Sequence, residues 1–186
     1  MLRILVTGAT GYVGGRLIPR LLEAGHSLRC LVRHPPNLQD PSWNGVEIVQ
    51  GDVLQPETLP PALNNIDVAY YLVHSMAGGE KGFDERDRRA AANFAEAAGR
   101  AGVKRIIYLG GLGIDETKLS AHLASRHEVG DLLRGSGIPV TEFRAAIIVG
   151  SGSISFEMIR YLAERLPIMI CPRWVKSLCQ PIAIRD

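Results

Sequence analysis

The chain has 186 residues, of which 46% are hydrophobic and 22% charged, and a formal net charge of +2. That length suits one domain of about 100–200 residues, and the composition belongs to a globular chain rather than a disordered one. So small a charge excess, with no Lys/Arg run, gives no electrostatic case for nucleic acid. No apolar stretch approaches the roughly 20 residues of a membrane-spanning helix, and the N-terminus reaches a glycine loop too early to be a signal peptide. Cys30, Cys171 and Cys179 form no Cys-x-x-Cys pair and read as reduced thiols in a cytoplasmic protein.

Taken in order, short apolar runs alternate with helical patterns, the signature of an α/β chain with a parallel sheet covered on both faces. The first strand is Arg3 to Val6. A helix follows from Tyr12 to Glu23, with Val13, Leu17, Leu21 and Leu22 on one stripe, and Gly25 stops it. Ser27 to Val32 is the second strand, and Pro35, Pro36, Pro41 and Gly45 mark a long loop after it. Val46 to Val49 is the third. Pro56, Pro60 and Pro61 keep the next helix short. Asp67 to Val73 is nearly continuous in apolar residues, which predicts a central strand.

A long helix then runs from Asp84 to Arg100. Phe83, Ala90, Ala91, Phe94, Ala97, Ala98 and Ala101 form its inward face. Arg105 to Leu109 is the fifth strand, Leu119 to Leu133 a helix, Pro139 to Phe143 the sixth strand, Ser155 to Arg165 a helix, and Gln180 to Ile184 one more strand. A strand with no helix after it leads us to expect that residues 1–186 are the N-terminal domain of a longer protein.

The chemistry concentrates in Thr7-Gly8-Ala9-Thr10-Gly11-Tyr12-Val13-Gly14. This Gly-x-x-Gly-x-x-Gly run lies between a strand and a helix. Glycines there let backbone N–H groups approach a pyrophosphate without Cβ clashes. The helix N-terminus adds about half a positive charge, and Gly14 lets the helix pack close to the sheet. In this context the run predicts a dinucleotide site of the Rossmann type. NAD sites usually carry an acidic residue about 20 residues further on. Here the second strand ends Leu31-Val32-Arg33-His34, without a carboxylate. Arg33 either forks onto a 2′-phosphate, which favours NADP over NAD, or is a solvated strand-end arginine. Asp52, with Val53 beside it, either accepts from an adenine amino group or caps the short helix.

Together Thr-Gly-Ala-Thr-Gly-Tyr-Val-Gly, Leu-Val-Arg, Gly-Asp-Val and Tyr-Leu-Val-His-Ser resemble the short-chain dehydrogenase/reductase superfamily. The likeness is to its atypical branch, with NmrA-like proteins, the accessory subunit of respiratory complex I and nucleoside-diphosphate-sugar epimerase-like proteins. It covers essentially the whole chain. It implies a doubly wound sheet of about seven strands. At the end of the fourth strand, Leu72, Val73 and His74 are expected along the cofactor and Ser75 and Met76 by the substrate, the alternative for His74 and Ser75 being hydrogen bonds within their own loop. By their places at strand ends, where open α/β sheets bind ligands, Gly110 either gives close backbone approach to a cofactor or only makes a flexible turn, and Ala145, Ala146 and Ile147 are expected to pass along the nicotinamide.

The departures are chemical. Active members carry a Ser or Thr after the fifth strand and Tyr-x-x-x-Lys on the next helix. This chain has Gly110-Gly111-Leu112-Gly113 and His122-Leu123-Ala124-Ser125-Arg126. By spacing, His122 stands for the Tyr and Arg126 for the Lys. Either His122 is a substitute proton donor with Arg126 by the ribose, or both are ordinary helix residues. Glu128 and Glu142 read as solvated or pairing charges. Three functions therefore stay open: hydride transfer with a small substrate, a non-catalytic NAD(P)H-sensing or accessory module, and a sugar-nucleotide epimerase. Neither the substrate nor the oligomeric state is legible, and no metal site is expected.

Overall fold

The computed structural model describes residues 1–34, 43–74, 83–113, 121–168 and 178–186. Two compact units divide the chain, Met1–Phe143 and Arg144–Asp186. The first carries β1 (Arg3–Thr7), α1 (Tyr12–Glu23), β2 (Ser27–Val32), β3 (Val46–Gln50), α2 (Leu59–Leu63), β4 (Val68–Tyr71), α3 (Phe83–Arg100), β5 (Arg105–Gly111), α4 (Ala121–Gly135) and most of β6 (Val140–Ala145). The main sheet has the order β3-β2-β1-β4-β5-β6. Its β3–β2, β2–β1, β1–β4 and β4–β5 pairs are parallel. The winding reverses between β1 and β4, which opens a crevice at the C-terminal ends of those strands. β4 lies between β1 and β5, as its apolar run predicts.

Alternation along the strands builds two cores. Ile4 and Val6 of β1 join Leu28, Cys30 and Val32 of β2 beneath α1. Leu5, Ala69, Tyr71, Ile106 and Tyr108 point the other way, toward α2, α3 and α4. The sheet is thus covered on both faces. On α3, Ala90, Ala91, Phe94 and Ala98 are buried, with Ala97 and Ala101 packed at the margin. The Tyr71 ring sits 5.0 Å from Phe94 and 6.2 Å from Tyr108, within the range of favourable aromatic pairs.

The structure differs from expectation at three places. On α1 the buried residues are Gly14 and Ile18, and Val13, Leu17, Leu21 and Leu22 are only half-buried. The helix rests on the sheet through its glycine, so the contact line is rotated from the leucine stripe. β4 stops at Tyr71 rather than Val73, because the chain leaves the ladder where β1 also ends. The last strand does not extend the main sheet. It is β8 (Pro181–Ala183) and pairs in parallel with β7 (Ile147–Val149), a strand too short to show a pattern.

These two strands, with α5 (Ile154–Arg165), make up the second unit. There Ser153 Oγ donates to the Ile148 carbonyl at 3.0 Å, and the Glu157 carboxylate accepts from the Gly152 N–H at 3.0 Å. Among the described residues no helix is long and apolar enough to cross a membrane.

Candidate nucleotide site

The site is built where β1 stops. Thr7 is buried, its Oγ1 donates to the Tyr70 carbonyl at 3.0 Å, and it accepts from the Leu72 N–H at 3.3 Å. The backbone ladder to β4 ends at Thr7↔Tyr71, so the threonine hydroxyl continues by one step the pairing that the main chain abandons. Gly8 then turns the chain away with φ +70°. A Cβ there would lie 2.7 Å from the Leu72 carbonyl oxygen, so both the conformation and the space exclude a side chain. Gly11 returns its N–H to the Gly8 carbonyl at 3.0 Å. A Cβ on Gly14 would lie 2.4 Å from the same carbonyl oxygen and 2.9 Å from Ala9 Cα.

The start of α1 therefore presses directly on the turn. Gly11 is extended and offers no side-chain cap, and no acidic residue occupies the first turn. The open N–H groups and the helix dipole favour an anion there. Ala9 is buried, while Thr10 is exposed. Val13 is half-buried. Tyr12 lies beneath the Arg16 guanidinium, 4.0 Å from its ring centroid, and among the described residues its buried hydroxyl has no hydrogen-bond partner. A buried phenol oxygen without a partner costs free energy. A phosphate group or water at the helix start would offer it one.

Around this turn the other strand ends supply side chains of different character. Arg33 and His34 follow β2, and both are exposed. Among the described residues no hydrogen bond or ion pair holds the Arg33 guanidinium. Asp52 follows β3. Its Oδ1 accepts from the Leu54 N–H at 2.9 Å, while Thr58 Oγ1 closes the turn by accepting from the Asp52 N–H at 3.0 Å. The carboxylate thus caps a local turn rather than the 3-10 turn Pro56–Thr58, which has no side-chain cap. Val53 puts its side chain into the larger core, and its carbonyl accepts from Asn93 of α3 at 3.0 Å. Leu72 and Val73 are half-buried at the end of β4, and His74 is exposed. Ser75 and Met76 lie outside the described residues.

The corner of β5 and α4 is held by reciprocal bonds. Tyr108 Oη donates to the Arg126 carbonyl at 2.8 Å. Arg126 Nη2 donates to the Leu109 carbonyl, and its guanidinium lies 5.9 Å from the Tyr108 ring. Burial pushes the Tyr108 phenol up to about 12, against the lowering effect of the Arg126 charge. A Cβ on Gly111 would meet Leu123 Cδ2 at 2.7 Å, so α4 rests on the strand end itself. His122 lies in the first turn of α4, and its side chain is outside the described set.

Glu142 of β6 is largely buried and pairs with Arg134 at 2.5 Å. A Cβ on Gly110 would come within 2.5 Å of its Oε1. Glu128 pairs with Arg88 through two bonds of 2.6 and 2.9 Å across α3 and α4. Both acids are therefore pairing charges. Ala145 ends β6 half-buried, Ala146 is exposed and Ile147 opens β7 opposite Pro181. All three belong to the second unit.

A cleft of about 560 Å³ lined by Pro56, Pro60, Asn64, Ala97 and Arg100 lies between α2 and α3. Asn64 and Arg100 lie just ahead of β4 and β5, at the opposite edge of the sheet from the glycine turn, while Asn93, also in the lining, bonds the Val53 carbonyl. Open α/β sheets bind ligands at the C-terminal edge, which favours the glycine turn over this cleft as the candidate nucleotide site. Among the described residues no cluster of His, Cys, Asp and Glu could hold a metal.

The hydroxyl of Thr7 and the amide of Asn93 are contributors that sequence reasoning missed. Thr7 alone had a visible signal, a small hydroxyl residue placed directly before the glycines.

A parallel sheet wound in this order, with a glycine turn pressed against an uncapped helix at the reversal, defines a Rossmann-type nucleotide-binding domain. The model of the NAD(P)H-binding family matches residues 8–156, and the chain belongs to that family. It is similar to the ceramide reductase of Caulobacter vibrioides, 31% identical over 169 residues that cover 89% of this chain and 52% of the relative. It is also similar to the photosystem II assembly factor Ycf39 of a Synechocystis species, 32% identical over 107 residues that cover 58% of this chain and 33% of the relative. Among solved structures, the Citrobacter sp. triphenylmethane reductase complexed with NADP(H) matches with TM-score 0.65 at 29% identity, covering 78% of this chain and 50% of that one.

These likenesses fit the atypical short-chain dehydrogenase/reductase reading: this is an NAD(P)-binding domain whose relatives include reductases and dehydrogenases. The chain spans between 30% and 52% of the length of the curated relatives named first among its matches.

Proposed function

We propose that this chain binds NADP(H) in preference to NAD(H) and forms the cofactor-binding part of a reductase of the atypical short-chain type. The observation that carries the preference is Arg33. It is exposed at the end of β2, without an ion-pair partner among the described residues, where NAD sites carry an acid. A guanidinium fork suits a 2′-phosphate, and a carboxylate there would repel one. The neighbouring structure complexed with NADP(H) supports the reading.

In this reading the Gly8–Gly14 turn and the first N–H groups of α1 hold the pyrophosphate. The Tyr12 hydroxyl gains its missing partner there. Asp52 has Oδ2 left for an adenine amino group, with Val53 contributing backbone. Leu72, Val73, His74 and Gly110 line the path beyond, and Ser75 and Met76 are candidate substrate residues. Bound cofactor supplies hydride chemistry. His122 is the candidate proton donor, and Arg126 keeps a positive charge at the β5 end. Substrate selection rests with α5 and with regions of the relatives that have no counterpart in this chain. A reducing, cytoplasmic setting belongs to the same reading, since Cys30 and Cys179 are free thiols.

The test is calorimetric titration of NADPH and NADH into the chain and into Arg33→Ala. The expected result is tighter NADPH binding that the variant loses. Equal affinities that the substitution does not change would overturn it. A second reading, cofactor binding without turnover, is favoured by Arg126. Its guanidinium is engaged by the Leu109 carbonyl, and the strand end offers glycines where active members have a hydroxyl. Substrate-independent binding, with no substrate-dependent NADPH oxidation by the complete protein, would select that reading.

A further inference from the structure

The β2–β3 pair ends unevenly. Its last register pair is Val32↔Gln50, and the Gly51 N–H still reaches the Val32 carbonyl at 2.9 Å. Beyond that bond β3 turns away into the Asp52 turn, and the Arg33 peptide has no strand beside it. Gln50 fills the gap with its side chain: Nε2 donates to the Arg33 carbonyl at 3.2 Å. At Gly51 there is little room for a side chain. A Cβ there would lie 2.8 Å from Thr58 Oγ1 and 2.9 Å from Leu31 Cδ1. Among the described residues, a side-chain amide from the neighbouring strand thus ties down the backbone that presents Arg33.

We propose that Gln50 is a positioning residue for cofactor selectivity: its amide holds the Arg33 peptide so that the guanidinium is presented to the 2′-phosphate. The inference rests on the NADP(H) reading above. Its physical content is a selective effect. NAD(H) has no 2′-phosphate, so loosening Arg33 weakens only the phosphorylated cofactor. A general loosening of the β2–β3 edge would weaken both, because Asp52 follows the same strand.

Gln50→Met keeps length and bulk but removes the donor. Gln50→Glu removes the donor and places a negative charge beside the phosphate. Dissociation constants for NADPH and NADH, measured by calorimetry on the chain, Gln50→Met, Gln50→Glu, Arg33→Ala and the double variant Gln50→Met/Arg33→Ala, test the proposal. Gln50→Met is expected to weaken NADPH about five-fold, the counterpart of one ordinary hydrogen bond, and to leave NADH unchanged. Gln50→Glu is expected to weaken NADPH further, and more so at low salt. In the Arg33→Ala background Gln50→Met is expected to change nothing.

An unchanged NADPH/NADH ratio in Gln50→Met, with Arg33→Ala still abolishing the preference, overturns the role of Gln50 and leaves the reading of Arg33 intact. Equal weakening of both cofactors reduces Gln50 to a structural residue. A wild-type chain without NADPH preference overturns both.

Discussion

The glycine turn after β1 and the corner between β5 and α4 stand at the same edge of the sheet, yet they are made in different ways. At the turn the work is done by missing atoms. Cβ positions on Gly8 and Gly14 would lie within 2.7 and 2.4 Å of backbone oxygens, and the site is a shape with N–H groups facing outward. At the corner the work is done by side chains: a phenol, a guanidinium and a buried carboxylate, each tied to backbone or to another charge. The first arrangement is shaped to bind a phosphate group and holds no carboxylate, imidazole or charged side chain among Gly8–Gly14. The second has the polar groups, but most are already engaged. The contrast separates binding from catalysis, and it orders the substitutions by how far each should reach.

The largest effect is expected at the turn. Gly14→Ala should destabilise the chain by about 3 kcal/mol, since the colliding atoms are backbone and cannot rotate away. Urea denaturation checks this, and near-wild-type stability would mean that α1 is free to shift. Gly110→Ala is expected to cost about 2 kcal/mol, less than Gly14→Ala because its obstacle is the end of the Glu142 side chain. Most of that cost should disappear in a Glu142→Ala background, a non-additivity that a double-mutant cycle resolves. Strict additivity would detach Gly110 from Glu142.

This ranking follows what the sequence made legible. Glycine spacing between a strand and a helix is a local signal, so the turn, α1 and the sheet order around them could be read directly. The small residues of α3 likewise announced a face packed close to the sheet. Thr7 bonding across to β4, Gln50 to β2 and Glu142 to Gly110 are contacts between distant segments with no spacing rule to betray them. The terminal strand was misplaced for a related reason. Its partner β7 is three residues long, below the length at which alternation can be recognised. At the β5–α4 corner the sequence showed which catalytic residues were missing. It could not show that Arg126 is engaged by the Leu109 carbonyl.

Smaller effects sharpen the contrast at its joints. Thr7→Val preserves shape but strips the Tyr70 carbonyl and the Leu72 N–H of their partner. A loss of about 1–2 kcal/mol is expected, with NADPH binding weakened because the β4 end moves relative to the turn. A stability loss with unchanged binding would confine Thr7 to the fold.

Tyr108→Phe should cost about 1 kcal/mol and alter the alkaline limb of stability. The phenol has its folded pKa raised from 10.0 to about 12. Its contribution is therefore complete below pH 10 and is lost as pH rises through 12, because the unfolded chain releases the proton first. The variant should lose less stability than wild type across that window, as denaturation at pH 9 and pH 11 would show. The smallest perturbation is chemical. Burial raises the Cys30 thiol from 9.0 to about 12, so Cys30 should resist a thiol reagent at pH 8 until the chain unfolds, while exposed Cys179 reacts at once.

Hydrogen exchange with and without saturating NADPH tests the central claim most directly, because it reads where the cofactor sits and needs no substrate. Slowed exchange is expected at the amides of residues 8–14, with smaller protection at 33, 52–53 and 72–74. Protection confined to the cleft between α2 and α3, with the glycine turn unchanged, would contradict it.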